Sequence, residues 1–448
     1  MRSMTIYLST VIDTPGAFGE AERVRSAEDC ALVVDDGVIV ARLDAAEAAD
    51  RFPEHEVVDL RDGILFPGLV DTHVHFPQVR AIGGLGMPLL EWLERCALPE
   101  EVRLSDVDYA RAVAGDFVRG LVDAGTTTAL VFGSHFPDAV DALFATASEV
   151  GVRVTSGLVV SDRILPEQLL VTPERAASAS AALADRWHGE GRLRYAVTPR
   201  FSLSASDDML AACGGVADDL WFTSHVNENP TEIVEVGRLF PEADRYVDTY
   251  DRHGLLDERS VLAHNVHPTA AELGVLSERG TAVAHCPTSN FSLGSGLFPL
   301  REHLEAGVRV ALGSDVGAGT GFSILQEGLQ AYFGQRLLGP EGRPLAPADL
   351  LHLATRSGAE ALGLAETVGD LSVGREFDAI WVRPPGGGTL RRLVDSAVDA
   401  DDAVAKIFAV AGPSDIAAVW VGGDRVSGAT SESTRGSMTE ATPKRRTN

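Results

Sequence analysis

Eight short runs of apolar and β-branched residues punctuate the middle of the chain, at 69–75, 126–133, 152–160, 193–200, 221–225, 260–264, 281–285 and 308–315. Between them lie longer stretches rich in Ala, Leu, Glu and Arg with the spacing of amphipathic helices. The run Val308-Arg309-Val310-Ala311-Leu312-Gly313 is mostly apolar, as a strand buried on both faces must be. Eight strand–helix repeats predict an α/β fold, a (β/α)8 TIM-type barrel rather than an open sheet.

The two ends read differently. Residues 4–12, 31–42 and 57–66, and then 377–382 and 417–426, are short strand segments. Val33 to Val40 sets apolar residues on both sides of an Asp36-Gly37 turn, a hairpin pattern. We expect both ends to fold together as a small β-sandwich. The expected layout is one part of the sandwich over 1–66, the barrel over 67–370, and the other part over 371–427 with a loop at 384–389. A Ser/Thr/Gly-rich disordered tail is expected over 428–448.

The strand ends carry the chemistry, because the C-terminal ends of barrel strands form the functional face. The first run ends in His73 and His75, spaced so that both imidazoles share one face of a strand. The fifth ends in His225, the sixth in His264, the seventh in His285 and the eighth in Asp315. Five of the 12 histidines thus fall at strand ends, which scattered surface histidines do not do. Singly, a strand histidine is more often structural, and an Asp closing a strand is usually a turn or cap residue. Jointly they predict a metal site. Imidazole and carboxylate ligands suit Zn²⁺, with Fe²⁺ as the alternative. An open position would hold water with a pKa lowered toward about 7, giving a hydroxide nucleophile. Asp315 could ligate, accept that water's proton, or both. Two-metal barrels often use a carbamylated lysine on the fourth strand. Here that strand ends Thr198-Pro199-Arg200, and the lysines are Lys406 and Lys444. One metal per chain is the expectation, with a carboxylate-bridged pair as the lesser alternative.

Composition narrows the partners. The chain has 448 residues and is 45% hydrophobic, enough for a large core. Lys and Arg number 38 against 65 Asp and Glu, a net charge of −27 that disfavours nucleic acid and anionic membranes. A small, largely neutral substrate fits better. No stretch approaches the roughly 20 apolar residues of a membrane span, and the N-terminus lacks a signal-peptide layout. Cys30, Cys96, Cys213 and Cys286 have no CxxC spacing, so a reduced, cytoplasmic setting without disulfides is expected. Cys286 has no apparent activating pair and is not a candidate nucleophile. The Gly-rich loop Gly317–Gly321 is not a GxGxxG after the first strand of a dinucleotide unit, and the P-C-x-x-C of nucleic-acid deaminases is missing.

The ordered set His-x-His, His, His and Asp resembles the amidohydrolase superfamily over nearly the whole chain, since the split sandwich is also typical of it. Four further segments are similar to the guanine deaminases within that superfamily. They are Phe76-Pro77-Gln78, then Pro88 to Arg95 with Leu98-Pro99-Glu100, then Thr198 to Ser204, and Ser224-His225-Val226-Asn227-Glu228-Asn229. The resemblance implies metal ligands His73, His75, His225 and Asp315, with His264 orienting the metal-bound water. It also implies Gln78, Arg200 and Phe201 around a purine base, with His75, His225, Glu228 and Asp315 facing it, Glu228 as proton shuttle, and a homodimer. The implied reaction is zinc-dependent hydrolysis of guanine to xanthine and ammonia. A related aminohydrolase acting on another purine, a pterin or a triazine is the alternative.

Elementary chemistry agrees with that implication. Hydroxide attack on a purine carbon pushes electrons onto the adjacent ring nitrogen, which must be protonated. Glu228, three residues past His225, can collect the water's proton and deliver it to N3. Asp315 or Glu228 could then relay a proton to the departing amine. The Arg200 fork suits the O6 and N7 acceptors of guanine, and Gln78 offers both a donor and an acceptor. Phe201 either packs on the base or belongs to the core, and Trp92 either walls the pocket or only packs. His135 and His267 are expected as structural or rim residues, and His285 as pocket wall or the layer behind it. A non-catalytic scaffold should have lost ligands, and here each is present.

Overall fold

The computed structural model describes residues 4–19 and 24–427; the expected tail at 428–448 lies outside the described residues. All eight central runs are strands: Leu69–His75, Thr126–Phe132, Arg153–Gly157, Leu193–Pro199, Trp221–Val226, Ser260–His264, Ala282–His285 and Val310–Leu312. They pair in parallel in that order, with helices between them. The third run breaks at Leu158 and resumes as Val159–Val160 beside the fourth strand. Gly157 makes this crossing, where a Cβ would sit 1.8 Å from Ala196 O.

The helices follow their sequence signals. Val107–Asp123 begins after Asp106, whose carboxylate accepts from the Asp108 and Tyr109 N–H groups, and it buries Ala110, Val113, Ala114, Phe117 and Leu121. Pro137–Val150 stops at Gly151, which takes the left-handed conformation (φ 86°) of a helix end.

The eighth strand returns to the first and closes the barrel. Thr72 Oγ1 donates to Leu312 O at 2.8 Å, and the Asp315 N–H donates to His73 O at 2.8 Å. The buried Asp71 carboxylate stitches the same seam, accepting from Ser314 N at 3.0 Å and His73 N at 3.1 Å. Burial pushes the Asp71 carboxyl up to about 7, although these hydrogen bonds pull the other way.

The chain ends form one seven-stranded sheet. Its order is Asp424–Ser427, Ile416–Val421, Ala379–Val382, Glu56–Pro67, Thr5–Asp13, Arg25–Asp35 and Val38–Asp44. The hairpin turn is as read, with Asp36 at φ 47° and Gly37 at φ 84°. The sheet curls over itself. Tyr7 and Trp420 stand three strands apart, which would separate them by about 14 Å in a flat sheet, yet their rings are 5.6 Å apart. Phe377 stacks on Tyr7 at 4.5 Å between them. The Phe377 N–H also donates to Gly37 O at 2.7 Å, joining the hairpin to the C-terminal segment. Two halves therefore face each other across Tyr7, Leu32, Leu65, Phe377 and Trp420, giving the sandwich expected from both ends.

The segment between the C-terminal strands holds more than the loop at 384–389. Helices Thr389–Asp395 and Ala400–Val410 follow it and return to the barrel. Phe408 lies against Gly328 of helix Ile324–Leu337, where a Cβ would come within 2.5 Å of its ring. All four cysteines are free, and among the described residues no helix is long and apolar enough to cross a membrane.

A buried ion pair ties the two bodies together. Arg153, at the start of the third barrel strand, lies 3.0 Å from Glu376 Oε2 and 3.7 Å from the buried Asp378 carboxylate. Replacing Arg153 with Met would take from the buried Asp378 its 3.7 Å cation partner and leave only Arg192, which pairs with Glu376 at 3.3 Å. We expect a loss of about 3 kcal/mol, read as a lower urea midpoint; an unchanged midpoint would show that the tether contributes nothing.

Candidate active site

His73, His75, His225 and Asp315 converge at the C-terminal face of the barrel. His75 Nε2 is 3.2 Å from His73 Nε2 and 3.2 Å from His225 Nε2. Asp315 Oδ1 is 3.3 Å from the Nε2 atoms of His73 and His75. Four donors bound at about 2.0–2.1 Å around a tetrahedral ion stand about 3.3–3.4 Å apart. These four separations match that value, and two overlapping triads share His73: His73, His75 and His225, and His73, His264 and Asp315. His264 stands further off, its Nε2 3.8 Å from Asp315 Oδ2 and 3.6 Å from Glu228 Oε2.

The surroundings keep these groups in the form that binds a cation. Burial pushes the imidazoles of His73, His75 and His225 down, so all three are neutral. His225 Nδ1 donates to Arg200 O at 2.6 Å, which directs the Nε2 lone pair into the cluster. Burial also pushes the Asp315 carboxyl up, but the His73 hydrogen bond and the neighbouring imidazoles outweigh it and hold the group well below its usual value. Phe132, at the end of the second strand, packs 4.5 Å from His225 and 4.7 Å from His75, ring centre to ring centre.

Backbone strain concentrates here. His264 (φ 71°) and Asp315 (φ 47°) both take the left-handed region, as do Asn227 and Asn265 just past the fifth and sixth strands. The two asparagines hydrogen-bond each other at 3.0 Å and so pin the loops that carry Glu228 and His264. His264 Nδ1 lies 3.1 Å from Asn290 Oδ1. Glu228 is buried, and burial with the nearby Asp315 pushes its carboxyl well up; its Oε1 has no hydrogen-bond partner.

Above the cluster lies a narrow, partly open pocket with a cavity volume of ≈ 20 Å³. Gln78, Arg200, Phe201, Glu228 and His264 line it, with Leu89, Trp92, Leu93 and Leu293 as apolar walls. Trp92 thus takes the walling position. It sits on a helical stretch, Leu89–Arg103, that widens into a π-turn over Leu93–Ala97. Pro99 accounts for the widening, because its ring and missing N–H do not fit a regular helical ladder.

Two residues beyond Pro99, Glu101 reaches the chamber wall. It is 2% exposed and accepts from Arg200 Nη1 at 2.6 and 2.7 Å and from Gln78 Nε2 at 2.8 Å. Burial pushes its carboxyl up, but Arg200, His135 and Gln78 outweigh this and keep it low. Glu101 was absent from the residues expected at the site. Its signal was a carboxylate inside the buried helical stripe Leu98, Glu101 and Leu104. His135 packs beside it, Nδ1 3.4 Å from Glu101 Oε2, with its pKa pushed down to about 4 by burial. His267 stays at the rim, with Nε2 2.7 Å from Ser295 O. Asn290 and Phe132 were likewise unexpected; no local pattern marks either.

Residues 64–426 match the amidohydrolase family. The chain belongs to that family. Amidohydrolase family members are metal-dependent, and the three histidines and Asp315 are the group here that could hold the ion. A probable guanine deaminase of Deinococcus radiodurans is 56% identical over 94% of this chain and 98% of its own length. The structure of Escherichia coli guanine deaminase superposes with a TM-score of 0.92 at 36% identity, covering 95% of this chain and all of that one. A guanine deaminase from C. acetobutylicum with bound guanine in the active site gives 0.87 at 26% identity, covering 94% of this chain and 99% of that one.

In this amidohydrolase, His285 lies behind the cluster rather than in it. It stacks on Phe298 at 4.2 Å, which stacks in turn on His303 at 4.3 Å. Burial, with His303 and His264 nearby, pushes His285 down to about 3. Below pH about 6.5 the unfolded chain takes up a proton at this position that the folded chain refuses. The stability this position contributes is therefore complete above pH about 6.5 and declines toward pH about 3. The urea-midpoint margin of the native chain over His285→Gln should narrow from pH 7 to pH 4; a constant margin would contradict this.

Proposed function

We propose that the chain hydrolyses guanine to xanthine and ammonia, with one zinc ion held by His73, His75, His225 and Asp315. The observation that carries this reading is the pairing, in one buried pocket, of the crowded His73, His75, His225 and Asp315 donors with the Arg200 and Gln78 side chains. The guanine-bound relative supports the choice of base. When bound, the ion lowers the pKa of water toward about 7 and supplies the nucleophile.

The protein's own groups do the rest. Asp315 and His264, whose side chains stand 3.8 Å apart, would orient the nucleophile by hydrogen bonding. Glu228 takes the proton released there and delivers it to N3 of the base; its raised affinity for a proton and its unpartnered Oε1 suit the shuttle. Glu228 or Asp315 then takes the proton of the new C2 hydroxyl and passes it to the amine; the electron pair left on that oxygen forms the C2 carbonyl as the tetrahedral carbon collapses, and the amine leaves as ammonia. Arg200 and Gln78 hold the base edge, Phe201 packs on its face, and the Leu89–Leu93 wall keeps bulk water out.

The test offers zinc-loaded protein guanine, adenine, 8-oxoguanine and a pterin and follows ammonia release. Guanine should be the preferred substrate; turnover of another base without guanine would sink the reading. Glu228→Gln should lower kcat by about 10²- to 10⁴-fold with bound zinc unchanged. Loss of zinc from that variant would instead make Glu228 a ligand. Chelation should abolish turnover and zinc restore it, with one equivalent per chain by metal analysis; two equivalents would refute the single-ion site.

A further inference from the structure

Glu101 takes no part in the chemical steps above, yet its buried carboxylate joins the two side chains that hold the base edge. A carboxylate only accepts hydrogen bonds, so the Gln78 amide atom facing it at 2.8 Å must be the nitrogen. The same nitrogen is 3.3 Å from His75 Nδ1, which carries the ring proton when Nε2 faces the cluster and would prefer an acceptor; the shorter contact with the charged carboxylate decides the orientation. The other amide atom, Gln78 Oε1, is buried without a partner, in a side chain that lines the chamber. Gly317 crowds it from behind, where a Cβ would lie 2.5 Å from Oε1. On Arg200, Glu101 engages Nη1 and leaves the rest of the guanidinium fork to other acceptors.

We propose that Glu101 is a positioning residue that fixes the donor–acceptor order of the base-reading pair, Arg200 donating and Gln78 accepting. The inference rests on the reading of the site as a guanine pocket and deepens it. Donor beside acceptor complements an oxo-purine edge, a carbonyl oxygen next to a ring N–H. It mismatches an amino-purine edge, where a ring nitrogen acceptor adjoins an amino donor. Among side chains as buried as Gln78 and Arg200 such a mismatch leaves polar groups unpaired on both sides, so the wrong base is rejected more strongly than by shape. Glu101 touches no reacting atom and acts through Gln78 and Arg200.

The probe is 2,6-diaminopurine, which keeps the 2-amino group of guanine and replaces its carbonyl edge with the mismatched one. kcat and KM are measured for both bases with zinc-loaded wild type, Glu101→Gln and Glu101→Asp. Glu101→Gln presents Gln78 with an amide that tolerates either orientation. It should raise KM for guanine about tenfold, with a smaller change in kcat, and cut the guanine-to-diaminopurine ratio of kcat/KM about tenfold or more. Glu101→Asp, with a retracted carboxylate, should lower that ratio by an intermediate amount and serves alone if the first variant does not fold. In a Gln78→Met background, Glu101→Gln should leave the ratio unchanged. Equal losses on both bases, as a merely charge-balancing Glu101 would give, would overturn the inference and leave the functional reading standing. No ammonia from guanine with the wild type would overturn both.

Discussion

At the C-terminal face of the barrel, three imidazole nitrogens and a carboxylate oxygen crowd together, His75 standing 3.2–3.3 Å from each of the other three groups, in a place solvent barely reaches. Burial keeps the imidazoles neutral, so their lone pairs face one another and repel unless a cation takes them up. Much of the surrounding structure resists that repulsion. The Arg200 carbonyl holds the His225 ring, Phe132 packs on the imidazoles, and Asp71 fastens the backbones that carry His73 and Ser314. The left-handed backbone at His264 and Asp315 persists because these contacts over-determine it.

The same exclusion of solvent lets neighbours set the behaviour of each acid. Glu228 and Glu101 are both fully enclosed. Glu228 has a carboxylate neighbour in Asp315 and is driven toward its protonated form; Glu101 has the Arg200 guanidinium and stays ionised. One chamber thus holds a carboxyl suited to moving protons and another suited to holding donors in place.

The barrel was legible because parallel strands buried on both faces leave apolar runs that no other element explains. The convergence of His73, His75, His225 and Asp315 was legible because barrel geometry brings strand ends together. The sandwich was legible as strands, but its curl depends on the Tyr7–Phe377–Trp420 contacts across the sheet, which no local pattern encodes. The Ala400–Val410 helix carries a helical stripe of Ala403, Val404, Ile407 and Phe408 that went unread between two strands. Glu101 was harder. In sequence it is one more acidic residue in an acidic chain; its role arises only where the π-turn brings it against Arg200, 99 residues away. His135 was read as structural, and its burial against Glu101 depends on that same long-range contact.

The seam at Asp71 has a bearing on how the chain comes into being. Asp71 and Ser314 are separated by 243 residues, and the strands they join carry His73 and His75 at one end of the chain and Asp315 near the other. During synthesis from the N-terminus, His73 and His75 emerge early and wait for Asp315 until nearly the whole barrel has been made. Bringing such distant segments together is the slow, entropically costly part of folding. The complete four-donor site therefore cannot precede ring closure, and truncated or half-folded chains lack it.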